Sequence, residues 1–302
     1  MQRDLTGYGL DPPRLQWPGG ADLAVSIVVN YEEGAELSIE AGDGESERIG
    51  EVISIVPPGA RDIGQEQIFA YGLRAGLPRF LDAFDRHGVT ATFFMCGRAV
   101  ARTPEIAREV VRRGHEPACH GWRWRPNADY PDRATEAAAL RRATEAIERA
   151  TGERPVGYFC RGSASPHTRA LLAEQGYRYD SNAFDDDLPY WDGPMLVLPY
   201  ALDTNDMKFF HPNGFARPEE FAGYVASAVE QLLEEGARGA PKLLNIGLHL
   251  RICGRPARFR AVEAILAHLK SLGPRVWIAR RRDIADWVRP RLAQPMARLL
   301  PA

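Results

Sequence analysis

The chain is short of several things at once, and each absence narrows what it can be. No apolar run approaches the roughly 20 residues that span a bilayer, so a membrane helix is not expected. The first twenty residues, MQRDLTGYGLDPPRLQWPGG, lack the apolar core of a secretory signal and read as an irregular arm. Positive charge is not in excess: 38 lysines and arginines stand against 40 acids, a net charge of −2. That leaves no basic footprint for nucleic acid. Cysteine is scarce, with only Cys96, Cys119, Cys160 and Cys253 and no CxxC pair. A disulfide scaffold is thereby excluded, and free thiols in a reducing cytoplasm are the expectation. No GxGxxG follows the first strand-like run, which argues against a dinucleotide-binding sheet. Repeats, low-complexity linkers and breaks in composition are all missing from the 302 residues, so one large domain is the simpler reading.

What is present is alternation. LAVSIVVN (23–30), TATFFMCG (90–97), EPACH (116–120), VGYFC (156–160), YRYDS, MLVLPYA and KLLNIGLH are β-rich apolar runs. Between them lie helical patterns, among them GLPRFLDAFDRHG (76–88), TPEIAREVVRRG (103–114), DRATEAAALRRATEAIERATG (132–152) and SPHTRALLAEQG (165–176). PEEFAGYVASAVEQLLEEG and PARFRAVEAILAHLKSLG are helical as well, and RVWIARR with DIADWVRP closes the series. Strand–helix alternation implies a parallel sheet with helices outside. Over this length it predicts an α/β fold, a closed or nearly closed (β/α) barrel of about seven strand–helix units in one domain. The expected boundaries are an arm over 1–20, the barrel over 21–292 and a tail over 293–302. Residues 40–66 form a long polar excursion after the first strand.

A fold of this kind gathers its active groups at the C-terminal ends of its strands. Four such ends carry reactive side chains: Glu32 and Glu33 in NYEEG, His120 in CHGW, Arg161 in CRGSAS, and His249 with Arg251, Arg255 and Arg258 in GLHLRICGRPAR. Two further loops, FDDDLPYW and DTNDM, add Asp186, Trp191 and Asp206. Trp122 and Trp124 follow His120 and, with Trp191, supply walls for a small flat ring. Each of these residues has an ordinary structural role available to it. Their coincidence after separate strands is what predicts a hydrolytic site. A lone histidine closing a strand suggests a metal ligand, but four residues beyond His120 stands Trp124. An indole N–H only donates and cannot bind a metal.

With these motifs in order, the chain resembles the polysaccharide deacetylase (NodB-homology) family, and within it the allantoinase-type and cyclic-imide-hydrolase-like branch. NYEEG stands where the family has an acid pair, HGWRW where it has HxxxH, RGSASP at its arginine motif and GLH at its late histidine. LTGYG, YGLRAGLPR, YDSNAFDDDLPYW and LPYALDTNDMKF match the branch, over roughly residues 20–290. The resemblance implies a distorted barrel and amide or ester hydrolysis. It casts Glu32 as the base, Glu33 and His120 as metal ligands, His249 as general acid and Arg161 as the residue that orients the base. Trp124 takes the place of the second metal histidine. It also implies a homo-oligomer, a tetramer in related members.

Zinc in a catalytic site wants three protein ligands, and Glu33 with His120 supplies two. The expectation is therefore no cofactor, with zinc as the alternative. The expected function is cytoplasmic ring-opening of a small cyclic amide, of hydantoin, allantoin or cyclic-imide type, by carboxylate-activated water. Its competitors are a metal-dependent sugar N-deacetylase and a homologue that binds without turnover. Which glutamate is the base stays open at this level.

Overall fold

A computed structural model describes residues 4–293, so the expected tail lies, beyond Ala293, outside the described residues. The first strand, β1 (Leu23–Tyr31), is buried along its whole length. Ala24 and Val28 point into one apolar cluster while Val25, Ile27 and Val29 point into another. That is the period-two pattern of a strand covered on both faces. The face bearing Ala24, Ser26, Val28 and Asn30 is the inner face, and the other packs on helices.

The sheet continues through β2 (Thr92–Met95), β3 (Glu116–Cys119), β4 (Gly157–Tyr158), β5 (Tyr179–Asp180), β6 (Tyr190–Asp192), β7 (Met195–Val197), β8 (Lys242–His249) and β9 (Val276–Ile278). It holds nine strands in the order β6-β7-β5-β4-β3-β2-β1-β8, with β9 also on β1. The strand over 190–192 was not expected, because three residues carry too little periodicity to stand out from a loop. Among the described residues it forms the one antiparallel pairing, with β7, and every other pairing is parallel. The barrel is incomplete. On the open side, Asn205 makes a bridge to Gly247, with the Gly247 N–H donating to Thr204 O at 3.0 Å.

Helices α1 (Ile63–Tyr71) and α2 (Leu77–His87) are continuous through a π-helical turn at Gly72–Gly76. α3 (Gly97–Arg102), α4 (Pro104–Arg112), α5 (Arg133–Thr151), α6 (Thr168–Glu174), α7 (Pro218–Ala237), α8 (Pro256–Ser271) and α9 (Arg281–Val288) complete the outer layer. The starts of α4, α7 and α8 carry proline, whose missing N–H costs nothing in a first turn. The arm is tied down where it is described. The Tyr8 hydroxyl donates to Pro189 O at 2.7 Å, and the Trp17 indole to Lys242 O at 3.0 Å.

The inner face is layered. At the bottom Arg281, wholly buried, donates to Ser26 Oγ, Ser181 Oγ and the carbonyls of Leu198 and Pro199. Above it Phe159 stacks on Tyr200 with centroids 4.3 Å apart, and the His120 ring stacks on Phe159 at 5.3 Å. Gly157, two residues before Phe159, lies under the Tyr179 ring; a Cβ there would sit 1.8 Å from a ring carbon. Gly157→Ala should therefore shift the strand that carries Phe159 and cost about 1–3 kcal/mol. A urea midpoint equal to that of the parent would show the packing to be slack.

Candidate active site

Strand parity decides what faces the inner mouth. Asn30 pairs in register with His249 on one side and Phe94 on the other, all on the inner face. Continuing the alternation past Tyr31 puts Glu32 inside and Glu33 on the helix side. Likewise Ala118 and Phe159 are inner residues, and His120 follows two places after Ala118.

These positions converge on Glu32. Its Oε1 lies 3.2 Å from His120 Nε2 and 3.3 Å from His249 Nε2. Its Oε2 accepts from Arg251 Nη1 at 2.6 Å. His120 Nδ1 is 2.6 Å from Phe159 O, a group that can only accept, so Nδ1 carries a proton and Nε2 is left to face Glu32. His249 Nδ1 meets Asp206 Oδ1 at 2.6 Å, and the His249 backbone N–H donates to Asp206 Oδ2 at 2.8 Å. Burial opposes the charge of Glu32, but Arg251, His249 and the hydrogen bond from His249 Nε2 outweigh it and hold the carboxyl well below the usual range. Burial also opposes charge on His249, yet Glu32 and Asp206 push it up to about 9. At neutral pH the site holds a carboxylate beside an imidazolium.

Glu33 has the opposite fate. Burial, reinforced by the charge of Glu32 and opposed by Arg251, pushes it up to about 7. Its Oε2 accepts the Glu32 N–H at 3.0 Å, and its Oε1 has no partner among the described residues. That oxygen packs on Gly72, where a Cβ would come within 2.2 Å. The glycine in the π turn lets the helix pass this close.

A cleft of about 400 Å³ opens over the inner end, lined by Asn30, Glu32, His120, Trp124, Phe159, Arg161 and His249 and by the loop from Leu202 to His211. Of the residues expected at a site, Glu32, His120, Arg161, His249 and Trp124 are brought together there. Asp206 stands behind His249 and does not line the cleft. Four others lie elsewhere. Trp122 stacks under Arg142 at 3.8 Å. Asp186 accepts the Leu188 N–H at 2.9 Å in its own turn. Trp191 is buried in the second apolar cluster and donates to Leu292 O at 3.0 Å. Arg255 lies over the Tyr71 ring at 3.7 Å. Arg161, expected to orient the base, instead pairs with Glu47 of the excursion at 2.6 and 3.1 Å and lies over the Trp124 ring at 3.8 Å. Glu32 is held by Arg251, one of the three arginines that follow His249 at the fourth strand end, to which the sequence assigns no separate role.

A metal ion is implied by the wider fold family, and the donor set does not fit one. Trp124 fills the second histidine's place, and Arg251 already brings a cation to the acid pair, 4.0 Å from Glu33 and in contact with Glu32. Glu33 faces away from the cleft. Among the described residues, no group of three or more histidine, cysteine, aspartate or glutamate side chains is arranged to hold a metal.

A parallel half-barrel with an acid and two imidazoles at its open end defines a hydrolase. Comparison with known proteins narrows the class. The family model for polysaccharide deacetylase matches residues 66–179. A Schizosaccharomyces pombe protein assigned as a polysaccharide deacetylase is 35% identical over 94% of this chain and 96% of its own. The crystal structure of a probable polysaccharide deacetylase from Pseudomonas aeruginosa PAO1 superposes with a TM-score of 0.92 at 44% identity, covering 97% of this chain and 100% of the other. That of Puue allantoinase superposes at 0.91 with 42% identity, over 96% and 98%. The chain belongs to the polysaccharide deacetylase family and, with its relatives, is a carbon–nitrogen hydrolase.

Two outcomes test the electrostatics. In a histidine-resolved NMR titration His249 should lose its proton near pH 9, and in Asp206→Asn at least about one unit lower; an unmoved midpoint would remove Asp206 from the pair. Glu33 has its folded pKa raised from 4.5 to about 7. Its protonation therefore stabilises the fold fully below about pH 4.5, and that contribution is lost as pH rises through 7. Glu33→Gln lacks this titration, so its melting temperature should gain on the parent's between pH 5 and pH 8. A constant difference would contradict the buried, unpartnered geometry.

Proposed function

We propose that the protein opens a small cyclic amide, a hydantoin- or allantoin-like ureide or a cyclic imide, using water activated by Glu32 and no metal ion. The observation that carries this reading is one carboxylate oxygen held between two imidazoles, 3.2 and 3.3 Å away, at the base of a cleft of about 400 Å³. A cleft of that volume suits a small molecule. The likeness to Puue allantoinase over nearly the full length supports the ring class. The names of the other relatives favour a sugar N-deacetylase as the second reading; it would need a metal ligand beyond those gathered at Glu32.

In the proposed reaction Glu32 takes a proton from water as the oxygen attacks the ring carbonyl carbon. Arg161, its charge balanced by Glu47, stands on the cleft wall to donate its remaining N–H groups to the developing oxyanion. The imidazolium of His249, braced by Asp206, gives its Nε2 proton to the departing nitrogen as the C–N bond breaks. The product is an open chain with a new carboxyl group. Glu32 then returns its proton to His249 across their 3.3 Å contact, which resets both groups. His120, fixed by Phe159 O, turns its Nε2 lone pair beside Glu32 to accept a hydrogen bond from the same water.

The cytoplasm is the proposed compartment, supported by four free, buried cysteines. Self-association belongs to the same reading, and Val52, Ile53 and Ile55 of the excursion are exposed aliphatics available to it.

The active form has Glu32 ionised and His249 protonated. Turnover should be level through neutral pH and fall as pH rises through about 9. Glu32→Gln should lower kcat by about 10²–10⁴-fold. The deciding measurement is metal content together with hydantoin, allantoin and succinimide turnover before and after chelation. Activity without metal, unchanged by chelator, supports the proposal. Stoichiometric zinc with activity lost on chelation would overturn the metal-free mechanism.

A further inference from the structure

Resting on the ring-opening reading, we infer that the ring carries an acidic substituent, a carboxylate, and that Lys208 recognises it. The chain has 35 arginines and only three lysines, Lys208, Lys242 and Lys270. One of the three, Lys208, lines the cleft. The other cations at the site are committed: Arg161 to Glu47, Arg251 to Glu32, and His249 to Asp206 and Glu32. Among the described residues no carboxylate lies within ion-pair distance of the Lys208 ammonium, and Glu32 is the one acid in the cleft lining.

The root of this side chain is fixed. Lys208 sits in the 3-10 turn Asp206–Phe210, capped by the Asn205 side chain. Its N–H donates to Asn205 O at 3.1 Å, and its carbonyl accepts from His211 at 3.2 Å and Phe215 at 3.3 Å. Asp206 of the same turn braces His249, so the lysine and the proton donor are set by one short element. Leu202, Met207 and Phe210 line the same cleft as the lysine. Lys208 is half-buried there. A cation partly withdrawn from water among apolar groups binds an anion better than one in open solvent. A wall built for a neutral ring would leave that charge unanswered. With Glu32 already neutralised by Arg251, the uncommitted charge of the cleft is positive.

The test compares two five-membered ureide rings, neutral 5-methylhydantoin and hydantoin-5-acetic acid, on the full-length parent, Lys208→Met and Lys208→Glu. The parent should favour the acid by about tenfold in kcat/KM, a preference that shrinks in high salt. Lys208→Met should lose that preference and keep its rate on the neutral ring, and Lys208→Glu should reverse it. Equal rates for both rings in the parent, or an equal loss on both in Lys208→Met, would leave a solvated lysine only and overturn the inference while the ring-opening reading stood. Binding of the two rings, measured by calorimetry, separates the remaining cases. Tighter binding of the acid by the parent than by Lys208→Met, with no turnover of either ring, supports the inference and sinks the ring-opening reading. No selective binding and no turnover sinks both.

Discussion

The site is organised by a charge that is expensive to keep. Glu32 and Arg251 are both buried, and a lone ion of either sign in such surroundings would cost several kcal/mol. They stand together at 2.6 Å. The guanidinium also lies 4.2 Å from the Phe69 ring centroid and 4.8 Å from that of Trp124, faces that favour a cation. The pair is not built for stability alone, since Nε and Nη2 of Arg251 have no partner among the described residues. What it secures is a charge state. With Arg251 in place Glu32 stays ionised, and with Glu32 ionised His249 holds its proton. Remove the arginine's charge and burial would act on two carboxylates with His249 as the one cation left in contact with Glu32.

The rest of the fold keeps these groups aligned. Glu32, His120 and His249 come from the ends of three strands in one sheet, which fixes their separation more firmly than loops would. Each has a backing contact: Arg251 behind Glu32, Phe159 O behind His120, Asp206 behind His249. The excursion after β1 is tied to the same place. Glu47 accepts the N–H groups of Arg48 and Ile49 at 3.1 Å while pairing with Arg161. The loop is thereby stitched to the cleft wall through one buried acid, and Arg161 is held flat on Trp124.

The sheet and the main catalytic candidates were legible in the sequence, because long runs such as LAVSIVVN and KLLNIGLH have a clear period and end on reactive groups. The same period carried on two residues separates Glu32 from Glu33, so the identity of the cleft-facing acid was present in the sequence too. Strands of two or three residues were legible where an apolar or β-rich run surrounds them, as in VGYFC, YRYDS and MLVLPYA; the antiparallel strand at Tyr190–Asp192 lies in the acid-rich segment FDDDLPYWDG, which reads as a loop, and was missed for that reason. Arg251 was visible at its strand end beside Arg255 and Arg258, but three arginines in one loop carry no local mark of which one reaches the acid. Asp206 was recognisable as an acid near the site, but its place behind a histidine depends on the bridge between Asn205 and Gly247, a contact no local pattern records. Trp122, Trp191 and Arg255 mislead in one way: large side chains near strand ends serve packing as readily as a substrate.

On the proposed reading a guanidinium stands at the acid pair in place of a metal, and that changes which reactions are within reach. A zinc ion lowers the pKa of its water to about 7 and so supplies hydroxide near neutrality. An arginine supplies charge but binds no water as a Lewis acid would. Here it also lowers the basicity of the carboxylate it touches, which leaves Glu32 reliably ionised and only weakly basic. Such a base drives attack best on a carbonyl that is already electron-poor and on a nitrogen that leaves readily. Imide and ureide rings meet both conditions, whereas the simple acetamide of an N-acetyl sugar meets neither. The proton on His249 is then as important as the water on Glu32. The Asp206 brace that keeps it there at neutral pH is the compensation the fold makes for a weaker base.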